Sequence, residues 1–241
     1  MKTKIVEKKI SGKTLSQGII VFHFIIVTVL FFLFYFFFKE KTGNILSHLK
    51  VIKPGTVLIY IGLFLAITIV SVIIHELIHG YFFAKFNHSG WKTVRFGFNK
   101  ELLAPYATCQ EPVKIKHFRI IAAMPTIILG IIPLLISLYV NNFLLFFYAA
   151  FMIVSGIGDI LVLWVVRKLN ANQFIIDHPR ALGYFLVNNY QVGELPAIQE
   201  QINLSMKKTQ EKEKSNSKKL LWIFIIIFLT VFIVKLTMKK L

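Results

Sequence analysis

Cysteine and acidic residues are scarce in this sequence. A single cysteine, Cys109, excludes an internal disulfide framework and also a zinc site built from several cysteines. Any metal would have to be held by histidine, aspartate or glutamate, and the chain has seven histidines and 11 acidic residues. Charged residues make up only 16% of the chain, whereas 56% of its residues are hydrophobic. This composition excludes an ordinary soluble domain and predicts an integral membrane protein.

Five apolar runs come near the roughly 20 residues that a helix needs to cross a bilayer core. The first follows a basic N-terminus (1–17) but is longer than the hydrophobic region of a signal peptide, so we expect a retained span. The fifth is the shortest, and it either spans the membrane or lies in its interface as part of a hydrophobic helix at 220–241. The runs cover approximately residues 18–38, 56–84, 118–140, 143–166 and 220–234.

The formal net charge of +17 comes from lysines and arginines in short segments next to the apolar runs. That placement favours orientation of the helices in a membrane over binding of nucleic acid. If the N-terminus is cytoplasmic, five basic residues before the first span, seven in 85–119 and nine in 167–219 all lie inside, out of 28 in total. The asymmetry predicts a multi-pass protein of the cell membrane with a cytoplasmic N-terminus.

Two cytoplasmic segments are long enough to carry structure of their own. In the first, residues 91–98 alternate between two faces, and residues 102–109 form a suitable return strand. They predict a small membrane-associated β-hairpin at about 91–109, between the second and third spans. The other segment, 168–219, ends in a charged tether that needs no specific ligand. The expected fold is an all-α, polytopic bundle of four to five transmembrane helices with this one hairpin.

The most informative stretch is His75-Glu76-Leu77-Ile78-His79, the H-E-x-x-H pattern of zinc hydrolases, inside the second apolar run. At positions i and i+4 of a helix the two imidazoles leave the same face and can converge on one tetrahedral Zn²⁺. The carboxylate of Glu76 lies beside them, within reach of a metal-bound water. Ionisable groups at the centre of a bilayer helix are unfavourable by roughly 2.5 kcal/mol or more each, and metal binding would explain three of them in five residues.

Two histidines leave a catalytic zinc one protein ligand short. Only Glu76 and Asp159, of all the acidic residues, lie within the predicted spans. Counted from the cytoplasmic ends of their helices, His79, His75 and Asp159 lie at depths of about 9, 15 and 12 Å, so the three are level if the helices pack together. The small residues before Asp159 favour close packing. Asp159 is therefore predicted to be the third ligand, and the alternative is that it pairs with a histidine or with Arg167.

The other polar candidates have structural interpretations. His23, near the cytoplasmic end of the first span, could be a gate or a partner of the site, but a packing role is favoured. Asp177 and His178 could cap a helix, approach the site from below or bind a partner. The remaining histidines lie in predicted loops, where we expect them to be solvated: His48, His88 and His117, together with His178.

Several motifs resemble a bacterial membrane family described as "putative zincin peptidases", formerly a domain of unknown function. The resemblance covers about residues 62–183, and the zinc motif and the Gly-Asp pair are its specific parts. The matching motifs are H-E-L-I-H-G at 75–80, R-F-G-F at 95–98, the span around Pro125, S-G-I-G-D at 155–159, and Asp177 with Pro179 and Gly183.

That family is in turn similar to the site-2 proteases, intramembrane metalloproteases with a three-helix core and a β-hairpin. The resemblance implies that His75, His79 and Asp159 bind zinc and that Glu76 is the catalytic carboxylate. The chain departs from the site-2 pattern after Asp159, where Ile160 replaces the usual glycine, and it has no PDZ-sized domain.

These observations predict a zinc metallopeptidase embedded in the membrane that cleaves membrane-associated proteins or peptides. The zinc-activated water would lose a proton to Glu76 and attack the scissile carbonyl. Two alternatives stay open: a zinc hydrolase of a lipid or small amphiphile, and a non-catalytic membrane protein with a structural zinc. The lipid bilayer is the other expected partner. The oligomeric state does not follow from the sequence.

Overall fold

The structure is a computed structural model that describes residues 4–9, 12–51, 53–99, 104–177, 183–188, 190–205 and 207. The chain divides into two compact units, Met1–Val192 and Gly193–Leu241. The second contains a helix over 195–205. The hydrophobic helix predicted at 220–241 lies outside the described residues. Every element named below belongs to the first unit.

Among the described residues, four of the five apolar runs fall in six α-helices, of which the first extends beyond the predicted span of 18–38 at both ends. By length and composition, three helical stretches of the described chain could cross a membrane, or four if α5 and α6, bent by 46° where they meet, form one span. The mostly helical fold is thus confirmed. The helices are α1 (Gly12–Val51), α2 (Pro54–Phe86), α3 (Ile115–Thr126), α4 (Ile132–Tyr139), α5 (Phe143–Ser155) and α6 (Ile157–Val166).

Large apolar side chains cover the outside of α1 and α2. Phe36 is 76% exposed and Leu58 is 69% exposed, and neighbouring apolar residues on both helices are exposed as well. Exposure of so much apolar surface to water is unfavourable in free energy, whereas its exposure to the hydrocarbon interior of a bilayer is not. The exposure pattern is therefore compatible with helices that face lipid.

The third predicted span is irregular in its middle. Pro125 lies inside α3, and a π-helical segment, Ile127–Ile131, joins α3 to α4. A Cβ on Gly130 of this segment would lie 2.6 Å from Ile153 Cγ1 and 3.3 Å from the Ile153 backbone nitrogen. Glycine is therefore needed for the close approach of α5 at this point. The π-helical segment thus begins two residues after Pro125.

Two small antiparallel sheets accompany the helices. Strands β2 (Val94–Asn99) and β3 (Ala104–Cys109) form the predicted hairpin, which is shorter than expected because residues 90–93 form a 3₁₀-helix. The second sheet was not predicted. It has the order β1 (Lys4–Lys9), β6 (Gly183–Asn188), β5 (Phe174–Asp177), β4 (Val113–Lys114). The expectation of an all-α fold with a single hairpin was therefore too narrow.

Two buried clusters hold these elements together. One, where α2, α3 and α6 meet both sheets, includes Phe83, Val94, Phe118, Ile121, Val166 and Ile175. The other, between α1, α4 and α5, is rich in aromatic side chains and contains Leu30, Phe38, Leu134, Phe146, Ala149 and Ile153. The helix α3 is the main packing partner of both α2 and α6.

Glu111 fixes the loop between α2 and the hairpin. Its side chain is fully buried and accepts hydrogen bonds from the backbone N–H groups of His88 and Ser89 and from the hydroxyl of Tyr190. Burial and the nearby Glu111 carboxylate raise the pKa of Tyr190, so its hydroxyl keeps the proton that it donates. This carboxylate therefore has a structural role at the base of the hairpin.

Candidate metal centre

His75 and His79 lie one turn apart on the same face of α2, as their spacing predicts. Their ring centroids are 4.9 Å apart. His79 is buried and His75 is half-buried, although most of the other side chains along α2 are exposed. The two imidazoles therefore lie on the part of α2 that packs against the rest of the protein.

Asp159 reaches both histidines from the first turn of α6, just after the bend. Its Oδ2 lies 3.0 Å from His75 Nε2, and its Oδ1 lies 3.4 Å from His79 Nε2. One ligand atom from each of the three residues lies within 4.8 Å of the other two. Two ligands of a tetrahedral zinc ion are about 3.4 Å apart, so the three residues have the spacing of a metal site.

The tautomer of His79 is fixed by α3. Its Nδ1 lies 3.0 Å from the carbonyl oxygen of Ile121, and because that oxygen can only accept, Nδ1 must carry a proton and donate it. The carbonyl is free for this bond because Pro125, four residues later, has no N–H with which to continue the helix. A backbone carbonyl in this position is typical of metal-binding histidines, since it turns Nε2 towards the ion.

The arrangement of acceptors fits a cation at the centre of the cluster. With the proton on Nδ1, neutral His79 presents a lone pair at Nε2 to the acceptor oxygen Oδ1 of Asp159, 3.4 Å away. Asp159 Oδ2 is buried. Its contact with His75 Nε2, at 3.0 Å, does not have the geometry of a hydrogen bond, and no other described residue bonds to it. Acceptors that face one another need a positive charge between them, either a proton or a metal ion. Two imidazoles and one carboxylate are a donor set that zinc uses, so the residues fit that ion.

Glu76 lies beside the cluster without being part of it. Its half-buried carboxylate interacts with the two histidines and with the backbone of Ala107 in strand β3. The hairpin packs against α2 close by, at Gly80. The ring of Phe96 occupies the space that a side chain on Gly80 would need, since a Cβ there would lie 2.3 Å from Phe96 Cζ. Glu76 is thus held between the His-His-Asp cluster and the hairpin.

Arg119 on α3 holds the other end of the helix that carries Asp159. Its guanidinium Nη2 donates to the carbonyl oxygens of Val166, Arg167 and Leu169, at 2.8, 3.0 and 2.8 Å. Carbonyls at the end of a helix have no partner within it, and a cation there also interacts favourably with the helix dipole. Helix α3 therefore positions both His79, through Ile121, and α6.

Among the histidines whose side chains the structure describes, only His75 and His79 belong to the cluster. His23 is exposed on α1, and His88 is exposed after α2. The prediction that His117 lies in a loop was wrong, because α3 begins at Ile115 and His117 stacks on Phe86, with ring centroids 4.4 Å apart. His48 was also wrongly placed in a loop, because α1 continues to Val51.

The last polar pair is only partly described. Asp177 ends strand β5, and His178 lies outside the described residues. The prediction that these two residues cap a helix, approach the site or bind a partner therefore stays a prediction.

Sequence reasoning missed the residues that orient the site. Ile121 and Arg119 lie on α3 and were assigned no role, although the signal for Ile121 was available: a proline four residues later frees its carbonyl. The contribution of α3 as a whole was not foreseen, because the predicted convergence of the three residues considered only whether the helices that carry them pack together.

The fold and the cluster together define a class of protein: mostly helical, with three or four apolar helices of membrane-spanning length and a His-His-Asp group suited to a metal ion. Residues 68–174 match the family model described as "Putative zincin peptidase". The match confirms the resemblance to that family and includes all three residues of the cluster. The family description indicates a metallopeptidase and implies zinc. No curated protein and no solved structure matched the chain.

Proposed function

We propose that this chain is a membrane-embedded zinc metallopeptidase whose metal is bound by His75, His79 and Asp159. The observation that carries the proposal is the convergence of the three side chains, with the proton of His79 fixed on the nitrogen that points away from Asp159. The family match supports the same reaction class. The cluster lies in apolar helices, so we further propose that the substrates are membrane-associated proteins or peptides.

Glu76 is the general base in this proposal. When bound, zinc would polarise the scissile carbonyl and make a water molecule acidic enough to attack near neutral pH. Glu76 takes the proton from the attacking water and later gives it to the leaving nitrogen. The contact of its carboxylate with the Ala107 backbone limits where Glu76 can lie, which favours proton transfer in one place.

The hairpin is the proposed place of substrate capture. An isolated two-stranded sheet has unpaired backbone groups on its outer edges, and an extended peptide can pair with them. Strand β3 passes next to Glu76 at Ala107, so a peptide along this hairpin would lie close to the metal cluster. The cytoplasmic N-terminus and the location in the cell membrane also belong to this proposal.

The test combines metal analysis with detection of new protein N-termini in membranes incubated with the purified full-length protein. Glu76→Gln should retain roughly one zinc ion per chain. It should lower the rate of cleavage by about 10²-fold or more, the usual contribution of a general base. His75→Ala and Asp159→Ala should lose zinc as well as activity. His23→Ala removes an exposed histidine from another apolar helix and is the matched control, with unchanged zinc and activity.

Other outcomes separate the rival functions. Release of fatty acid or another amphiphile without any new protein N-terminus would assign the same residues to a lipid hydrolase. Full cellular function of Glu76→Gln, with zinc retained, would mean that the ion only holds helices together. If the purified wild-type protein binds no zinc, the peptidase, the lipid hydrolase and the structural zinc site are all contradicted.

A further inference from the structure

The junction between α5 and α6 presents backbone donors inside an apolar stretch. The two helices meet at Gly156 with a bend of 46°. The N–H groups of Asp159 and Ile160 bond back to the carbonyl of Gly156, at 3.1 and 3.2 Å. Those of Ile157 and Gly158, in the first turn of α6, have no partner within their own helix. Donors at the N-terminus of a helix favour an oxygen that carries negative charge.

A buried hydroxyl is aimed at the same junction. Thr126, the last residue of α3, is 7% exposed, and its Oγ1 has no hydrogen-bond partner among the described residues. That oxygen is the atom nearest to the place where a Cβ on Gly156 would lie, at 2.5 Å. A buried hydroxyl without a partner is unfavourable by about 1–3 kcal/mol. Such a group calls for an explanation, and a ligand oxygen at the junction would supply one.

The junction borders the metal cluster. Asp159 follows Gly158 directly, and helical side chains tilt towards the N-terminus of their helix, which places its carboxylate on the side of the junction. Ile121, which orients His79, precedes Thr126 by five residues, or about 7.5 Å along α3. A Cβ on Gly158 would meet no atom within 4 Å, so the space beside it is open. A group bound at the cluster can therefore extend to these donors.

We propose that the hydroxyl of Thr126 and the N–H groups of Ile157 and Gly158 form a subsite for the carbonyl oxygen of the scissile peptide bond. The inference rests on the proposed peptidase function and deepens it by naming the groups that receive the developing charge. As the water oxygen bonds to the carbonyl carbon, the π-electron pair moves onto the carbonyl oxygen, and the water proton goes to Glu76. When the tetrahedral species collapses, the carbonyl re-forms, the carbon–nitrogen bond breaks and the nitrogen takes the proton from Glu76. Donors already in place for that oxygen lower the barrier.

The test measures the binding of a phosphinic dipeptide with phenylalanine and leucine side chains to the zinc-loaded, full-length protein. Its anionic phosphinyl oxygens imitate the tetrahedral species, so its affinity reports on the subsite without turnover. Thr126→Val keeps the shape of the side chain and removes the hydroxyl. It should weaken binding about tenfold, the loss expected for one hydrogen bond, without lowering the zinc content. Thr126→Ser keeps the hydroxyl and should bind nearly as tightly as the wild type.

Thr68→Val is the matched control, because Thr68 on α2 also has a buried hydroxyl without a hydrogen-bond partner among the described residues. Its affinity for the phosphinic dipeptide should be that of the wild type. Unchanged affinity of Thr126→Val, or an equal loss in Thr68→Val, would overturn the subsite and leave the peptidase proposal standing. If the wild type shows no zinc-dependent binding of the dipeptide, the peptidase proposal fails and the subsite fails with it.

Discussion

At the scale of single residues, the orientation of His79 depends on the backbone N–H that Pro125 lacks. Pro125 cannot donate to the carbonyl of Ile121, and that carbonyl accepts the Nδ1 proton of His79 instead. A substitution that normally favours a helix should therefore weaken metal binding at the proposed site. The effect should be local, because Ile121 bonds to His79, whereas His75 and Asp159 contact each other.

Pro125→Ala should weaken zinc binding about tenfold, at the lower end of the range for loss of a partner that orients a metal ligand. The new backbone N–H would compete with His79 for the Ile121 carbonyl, while thermal stability should not fall, since alanine favours a helix interior. Competition with a fluorescent zinc chelator measures the affinity. Pro133→Ala, in the same span but in the first turn of α4, should leave it unchanged. Equal affinities for Pro125→Ala and the wild type would contradict this account.

The residues of the site were readable from the sequence to different degrees. The spacing of His75 and His79 determines that they share a helix face, and Asp159 stood out because so few carboxylates lie in apolar runs. Their convergence, however, depends on α3, which packs against both partner helices. Nothing in the local sequence of α2 or α6 reports a third helix between them. Long-range packing of this kind is therefore what the sequence left open.

At the scale of elements, Arg119 connects α3 to the end of α6. One Nη atom donates to three carbonyl oxygens, those of Val166, Arg167 and Leu169. Arg119→Ala should lower the free energy of unfolding by about 2 kcal/mol, the usual size for a hydrogen bond from a charged group. It should also weaken zinc binding, because α6 carries Asp159. Thermal unfolding in nanodiscs and zinc titration measure the two effects.

Arg95→Ala is the control for Arg119, because Arg95 is exposed and the carbonyls that it contacts among the described residues, those of Lys92 and Val94, are local. Arg95→Ala should change neither the free energy of unfolding nor the zinc affinity appreciably. Arg119→Lys should recover part of the stability, since an ammonium group can reach the carbonyls but lacks the planar donor array of a guanidinium. A zinc affinity that is unaffected in Arg119→Ala would mean that α6 keeps its position without this contact.

The strands of the unpredicted sheet have weak signals in the sequence. Strand β1 has the sequence KIVEKK, whose charges suggest a solvated terminus, and its partner β6 lies more than 170 residues away along the chain. Strands as short as β5, with four residues, carry little periodicity of their own. The pairings of β1 with β6 and of β4 with β5 join strands that are far apart along the chain. Strand β5 is adjacent to β6 in sequence but is too short to be recognised, so the hairpin of β2 and β3 was the part that could be predicted.

At the scale of the whole molecule, the distribution of basic residues predicts which ends of the helices are cytoplasmic. Lys92 in the 3₁₀-helix before β2 and Lys168 after α6 should lie on the cytoplasmic side, and Tyr139 at the end of α4 on the opposite side. All three are exposed and suit the introduction of a single cysteine. The native Cys109 gives little background, because burial raises the pKa of its thiol and keeps it from reagents.

Labelling with a membrane-impermeant maleimide in intact cells and in inverted membrane vesicles measures this orientation. Lys92→Cys and Lys168→Cys should react only in the inverted vesicles, and Tyr139→Cys only in intact cells. The unmodified protein, with Cys109 alone, should react in neither. The opposite pattern would reverse the topology, and labelling of Tyr139→Cys and Lys168→Cys from the same side would mean that α5 and α6 do not cross the membrane together. In that last case the bend before Asp159 belongs to a re-entrant segment.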